Sequence, residues 1–314
     1  MKDHTIRQRS RILPKGMKKL DLSTSDGTRL RMMLWRPEGA RGSLLLVPGR
    51  TEFIERYAEI IADFLDRGLA VAILDLRNHG LSTRPLANRH KHYLRDFAPM
   101  IDDVGLFVVR AEDEGLPRPF HLLGHSMGGH VALRFAHDHP QTIDKLILSA
   151  PMVGIHFGAL PSSLVRILVR GAMALGRGQS YAPGQGDWRG DAKARAALRD
   201  YLTSDAERFA DEDWQLEQQP DLKLGGVTWG WMAAAIASCD LLQSPGYGQR
   251  ITVPTGFILA GADRVVDNDA ARALASTMPD AHVITIPNAR HELMREADPM
   301  RDQFLKAIDD FIGG

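Results

Sequence analysis

A single cysteine, Cys239, is all the chain carries, so no internal disulfide framework holds it together. No apolar run reaches the roughly 18 residues that a membrane-spanning helix needs. Charge of neither sign dominates: 39 Lys plus Arg meet 39 Asp plus Glu, which removes the bulk electrostatic case for nucleic acid as a partner. The basic start has no apolar stretch behind it and does not read as a secretion signal. Together these absences place the chain in the cytoplasm. Cys239, in Ala-Ser-Cys-Asp, reads as a small packing residue rather than a redox centre.

What is present is ordinary in bulk and uneven in detail. Hydrophobic residues at 44% and charged ones at 25% match globular averages, so 314 residues can bury a large core around one sheet. Residues 1–19, however, hold Lys2, Arg7, Arg9, Arg11, Lys15, Lys18 and Lys19 against Asp3 alone. Such an arm gains about 1 kcal/mol per cation beside anionic headgroups. Peripheral contact with the inner membrane face is therefore one expectation, and a solvated, frayed terminus is the plainer one.

Along the chain, Lys18–Ser23 and Thr28–Trp35 alternate apolar and polar residues around Ser25-Asp26-Gly27 and predict a hairpin. The runs Ser43–Val47, Leu69–Leu74, Phe120–Leu123, Lys145–Leu148, Thr255–Ala260 and His282–Ile286 are short and nearly continuous in apolar residues. Strands covered by helices on both faces have this pattern. Helical patterns lie between them at Ile54–Asp66, Ile101–Glu114, His130–His137, Ala270–Ser276 and Met300–Ile312. Strict alternation predicts an α/β fold with a doubly wound, mostly parallel sheet. It breaks once. Residues 153–248 lack buried-strand runs and hold the helical stretches Ser162–Leu175, Ala192–Leu202 and Trp231–Leu242, with Trp214, Trp229 and Trp231 among them. The expected organisation is a core of residues 1–152 and 249–314 with a helical cap, 153–248, inserted in it.

Gly124-His125-Ser126-Met127-Gly128 fits Gly-x-Ser-x-Gly, a weak pattern alone. Here a buried-strand run precedes it and a helix pattern follows, which is the strand–turn–helix setting of a nucleophilic serine held in strained backbone. Side chains at 124 and 128 would strike the neighbouring helix and strand. The helix start also sets the Met127 N–H beside the serine, where a developing oxyanion can be held.

A serine hydroxyl needs a base to take its proton, and in this arrangement the acid and then the histidine follow the serine in the chain. Of 12 histidines, His291 lies just past the last strand run and before the last helix, at the carboxyl edge where the serine also emerges. Asp263 follows the penultimate strand and is the acid expected behind the imidazole. Asp267 is its rival, with a helix N-cap as its plain role. The first central strand ends in Pro48-Gly49-Arg50, so Arg50 N–H is the expected second oxyanion donor. Asp75–Ser82 is expected to shape the pocket floor. Arg89-His90-Lys91-His92 is flanked by cations and lacks the helical spacing of metal ligands, so neither a metal nor an organic cofactor is implied.

With these residues in place, the chain resembles the α/β-hydrolase group of bacterial lysophospholipases and monoacylglycerol lipases, also filed as serine aminopeptidase-like. The resemblance rests on Gly-His-Ser-Met-Gly-Gly at 124–129, Asp-x-Arg-x-x-Gly-x-Ser at 75–82, Gly-x-x-Glu at 49–52 with Tyr57 following, Gly-Ala-Asp-Arg-Val-Val-Asp at 261–267 and Ala-Arg-His-Glu at 289–292. Pro-Gly-Arg at 48–50 is closer to the lysophospholipase branch than to the His-Gly of monoacylglycerol lipases. The resemblance implies a carboxylic ester substrate, most of all a single-chain lipid, cleaved through an acyl-enzyme. The competing readings are a carboxylesterase for small soluble esters, an aminopeptidase-like amide hydrolase, an acyltransferase, and a hydrolase-like binding protein without chemistry. Dehalogenases and epoxide hydrolases are disfavoured, because their elbow nucleophile is a carboxylate.

Overall fold

The structure, a computed structural model, describes residues 9–158 and 160–313. Eight strands form one sheet: β1 (Lys18–Ser23), β2 (Arg29–Trp35), β3 (Ser43–Val47), β4 (Ala70–Leu74), β5 (Phe120–His125), β6 (Lys145–Ser149), β7 (Thr255–Ala260) and β8 (Ala281–Ile286). Their spatial order is β1-β2-β4-β3-β5-β6-β7-β8. The β1/β2 hairpin and the β2/β4 pair are antiparallel, and every other pair is parallel.

The continuous apolar runs make sense because successive side chains enter two different cores. Leu45 and Val47 of β3, with Phe257 and Leu259 of β7, join the core on one face. That face is covered by α2 (Ala98–Asp113) and α3 (Met127–Asp138) and by α8 (Asn268–Ala275). Leu44, Leu46, Ile258 and Ala260 point the other way, toward α1 (Ala58–Asp66) and α9 (Asp298–Gly313). The strand β8 departs from the expectation of burial on both faces: Val283 and Ile284 are about two-fifths exposed. It is the edge strand, so only β7 covers its flank.

Four helices, α4 (Ser162–Ala174), α5 (Ala192–Leu202), α6 (Ala206–Gln218) and α7 (Trp229–Leu242), lie between β6 and β7. Helix α7 is not detached from the body: Trp231, Ala234, Ala235, Cys239 and Leu242 join the same core as α2 and α3. Cys239 is buried there, and burial pushes its thiol up to about 12, leaving it an inert packing group. Helix α6 has no counterpart in the sequence pattern, because it buries Arg208, Asp211, Glu212 and Gln215 beside only Phe209 and Leu216. It is held by ions more than by an apolar stripe. Of the basic arm, Lys2 and Arg7 lie outside the described residues. Arg9 pairs with Asp63 and Asp66, Arg11 with Asp211, and Lys18 with Glu114.

Candidate active site

Because β3 and β5 to β8 run parallel, the loops that follow them open at one sheet edge. Ser126 sits between β5 and α3 with φ 51° and ψ −116°, a conformation that costs a residue with a Cβ about 1–3 kcal/mol. Glycines make that elbow possible. A Cβ on Gly124 would stand 2.7 Å from the Gly128 carbonyl oxygen, and one on Gly128 would collide with the carbonyls of Val47 and Pro48. The turn is thus wedged between its own helix and the end of β3. Met127 is the first residue of α3, so its N–H has no carbonyl one turn back and is free for an anion at the serine.

The structure brings Ser126, His291 and Asp263 together. Ser126 Oγ lies 2.8 Å from His291 Nε2, and His291 Nδ1 lies 2.7 Å from Asp263 Oδ2. The other carboxylate oxygen, Asp263 Oδ1, accepts the N–H groups of Val265 and Val266 at 2.7 and 3.1 Å. Asp267 is turned away and caps α8, accepting from Asp269 N and Ala270 N. Burial disfavours a charged imidazole at His291, but the charge and hydrogen bond of Asp263, with Glu292 and Glu52 further out, overcome it and raise its pKa above 6.5. The Asp263 carboxyl moves the opposite way: its burial is outweighed by His291 and the two backbone N–H groups, and its pKa falls.

Arg50 follows β3 and lines the same space as Ser126 and Met127. Its loop is fixed by Glu52, whose carboxylate accepts Gly49 N–H and the Tyr57 hydroxyl and pairs with Arg56. The neighbouring Thr51 has φ 66°, a second strained residue beside the site. Asp75, by contrast, is a structural knot: it accepts Ile54 N–H and Leu81 N–H and pairs with Arg31. The segment 75–82 is absent from the walls of the cavities at Ser126, so the expected pocket floor is supplied elsewhere.

Two cavities meet at the serine. One, ≈ 510 Å³, is walled by Arg50, Thr51, Gln185, Arg189, Arg195 and His291 among others. The second, ≈ 540 Å³, is walled mostly by apolar side chains, including Met152, Phe157, Val165, Trp231 and Met232. Ser126, Arg50, Gln185 and Val265 belong to both. Beneath the first lies a set of buried ions that pattern reading missed. Arg56 pairs with Glu52, Glu212 and Glu292, while Arg195 and Arg295 both reach Glu212. This network joins α6 to the residue after His291. One signal was visible in the sequence: Glu52 and Arg56 stand four apart.

A strained serine after β5, a histidine after β8 and an acid after β7, on a mostly parallel sheet of this order, define a serine hydrolase of the α/β-hydrolase fold. The chain belongs to the Hydrolase_4 family, described as serine aminopeptidase S33, which matches residues 38–298. It is 31% identical over 294 residues to lysophospholipase L2 of Escherichia coli strain K12, covering 91% of this chain and 84% of that protein. It is 28% identical over 276 residues to the monoacylglycerol lipase of Mycolicibacterium smegmatis, covering 87% of this chain and 89% of that one. Among solved structures, a soluble variant of the monoglyceride lipase from Saccharomyces cerevisiae superimposes with a TM-score of 0.72 at 20% identity, over 94% of each chain. At that identity the likeness speaks for the fold.

Proposed function

We propose that this serine hydrolase cleaves the carboxylic ester of a single-chain lipid, with Ser126 as nucleophile, His291 as base and Asp263 as the acid that orients it. Ser126 Oγ attacks the ester carbonyl as His291 Nε2 takes its proton; the tetrahedral oxyanion is held by Met127 N–H and Arg50 N–H. The C–O bond to the alcohol then breaks, with His291 returning the proton to the leaving oxygen. Water, deprotonated by His291, attacks the acyl-enzyme and releases the fatty acid and free Ser126.

The observation that carries the lipid reading is the meeting of a polar and an apolar chamber at Ser126. Each lies within the size range of small-molecule sites. An acyl chain entering the apolar one leaves the alcohol in the other. Residues 153–248 act in this reading as a cap, since α4 and α7 supply Val165, Trp231 and Met232 to the apolar wall. An aminopeptidase needs an anion for the substrate's ammonium. Glu52, Glu212 and Glu292 on the polar wall are each already paired with arginine, and the wall's other carboxylate, Asp187, is engaged by Asn88 and Tyr181, which favours the ester. We place the chain in the cytoplasm. Any peripheral membrane contact of residues 1–19 would draw on the cations other than Arg9, Arg11 and Lys18, whose charge is spent within the chain. The test is an acyl-length series of p-nitrophenyl esters beside long-chain lysophospholipid, monoacylglycerol and an aminoacyl-nitroanilide. Rising kcat/KM with chain length is expected; a preference for short soluble esters or for the nitroanilide would sink the proposal.

A further inference from the structure

The arginines whose side chains are most deeply enclosed are met by carboxylates: Arg31, Arg56, Arg77, Arg195, Arg208 and Arg301 all are, while Arg84 is held by backbone carbonyls. Arg50 breaks the rule where it matters most. Its guanidinium touches one carbonyl, Gly225 O, at 3.3 Å, and lies 6.0 Å from the centre of the Trp231 ring. Among the described residues no acidic side chain pairs with it, and desolvation pushes its pKa down to about 10. It still stays protonated at neutral pH. Arg50 is half-buried and borders both chambers, so its charge has no carboxylate beside it but has open space in front of it, where a ligand can bring the missing charge.

The surroundings fit an anion as well. His92 lies tilted against Trp231, ring centres 5.4 Å apart, and meets His79 edge-on at 4.6 Å. Both imidazoles are buried and held neutral, first by desolvation and further by nearby arginine charge, Arg50 included. They offer no negative charge to Arg50. Trp231, on the wall of the apolar chamber, has its Nε1 buried without a hydrogen-bond partner among the described residues, whereas His79 and His92 lie behind it and line neither chamber. Arg50 also lines both chambers together with Ser126.

We propose that the Arg50 side chain is an anion-binding subsite that takes the phosphate of a glycerophosphate headgroup while the ester carbonyl sits at Ser126. This rests on the lipid-ester reading above and narrows it: the headgroup is a phosphodiester rather than a free glycerol. In a lysophospholipid the phosphorus is only a few bonds from the scissile ester, so a group beside the nucleophile can reach it. The planar guanidinium matches a phosphate with two parallel N–H donors. The backbone N–H of the same residue serves the oxyanion, so one loop would read both the carbonyl and the headgroup.

The test compares lysophosphatidylglycerol with monoacylglycerol of the same acyl chain, at equal mole fraction in neutral detergent, for the whole chain and its Arg50→Gln and Arg50→Lys variants. Arg50→Gln should lower the ratio of kcat/KM, phospholipid over glycerolipid, by about 10- to 100-fold, the range of a lost charged hydrogen bond. Arg50→Lys, which keeps the charge and loses the fork, should restore part of it. A role confined to bracing the cap through Gly225 and Trp231 would depress both substrates equally and leave the ratio unmoved; that result overturns the proposal. A second arm needs no lipid turnover. sn-Glycerol 3-phosphate should inhibit hydrolysis of p-nitrophenyl butyrate more strongly than glycerol, and Arg50→Gln should abolish the difference. Equal inhibition by the two in the unmodified chain overturns the subsite. Failure of the unmodified chain on both lipids defeats the lipid reading instead, and the inhibition arm still judges Arg50. Should Arg50→Gln fail to fold, Arg50→Met, which also removes the charge, takes its place in both arms.

Discussion

Replacing Asp263 by asparagine tests the site more sharply than deleting the serine, because the structure dictates how the amide must sit. Asp263 Oδ1 accepts two backbone N–H groups, from Val265 and Val266. An asparagine keeps those bonds only with its carbonyl oxygen on that side, so its NH2 faces His291 Nδ1, now occupied by Oδ2 at 2.7 Å. Two donors cannot face each other, and the imidazole must move its proton to Nε2. There it points at Ser126 Oγ, 2.8 Å away, and the base has no lone pair for the serine proton. With geometry intact and the tautomer wrong, kcat should fall by about 10⁴-fold. The pH profile carries a second signature. In the unmodified chain, activity is absent while His291 is protonated and rises through its pKa, which Asp263 holds above 6.5. Without that carboxylate only desolvation remains among the larger influences, and it favours the neutral ring. The acid limb of the residual kcat/KM should therefore shift to lower pH than in the unmodified chain. Stopped assays with p-nitrophenyl butyrate across pH 5–9, with circular dichroism to verify folding, check both. A loss smaller than about tenfold, or an acid limb that does not move to lower pH, would refute the assignment of Asp263.

Ser126→Ala should lower kcat by about 10⁴–10⁶-fold while the fold persists; retained turnover, or fluorophosphonate labelling of the variant, would remove the core claim. Gly128→Ala drives a Cβ into the carbonyls of Val47 and Pro48, so both the elbow and the Arg50 loop must shift. The expected result is a rate loss of about 10²-fold or more with a modest stability cost of about 1–3 kcal/mol, measured by kinetics and urea unfolding. Arg56→Ala, at a side chain 3% exposed, leaves Glu52 without an arginine and removes one of the cations that hold Glu212 and Glu292, which keep Arg195 and Arg295. Unfolding free energy should drop by about 3–5 kcal/mol, and a drop under about 1 kcal/mol would show that the network is well hydrated. Val165→Phe narrows the apolar chamber and should move the acyl-length optimum to shorter chains with little change for p-nitrophenyl acetate; an unchanged optimum would put the acyl chain elsewhere.

The sheet was legible in the sequence because its strands are buried on both sides: Leu44–Leu46 and Ala70–Leu74 read as unbroken apolar runs since neighbours serve opposite cores. The edge strand β8 was read as equally buried because an apolar sequence does not state how many neighbours a strand has. That Ser126, His291 and Asp263 would meet at one sheet edge was legible from chain order and from their place between elements. What stayed hidden has one physical origin. Helix α6 and the ions around Arg56 follow no apolar period, because their buried charges also need residues far off in the chain, as Arg56 needs Glu212 and Glu292. Periodicity reports burial of carbon; it does not report which charges will meet.

That limit bears directly on the site. The charges beneath the polar chamber are matched, and Arg50 above them is not. In the sequence, Arg50 and Arg56 are alike, two arginines six apart in one loop and helix start. Only the fold shows that Arg56 is surrounded by three carboxylates while Arg50 faces the space in front of Ser126. The same contrast explains why the backbone of Arg50 was sought as an oxyanion donor while its side chain was passed over. A main-chain N–H follows from where the loop must be, whereas an uncompensated guanidinium is defined by what is missing around it, and that is a property of the folded site alone.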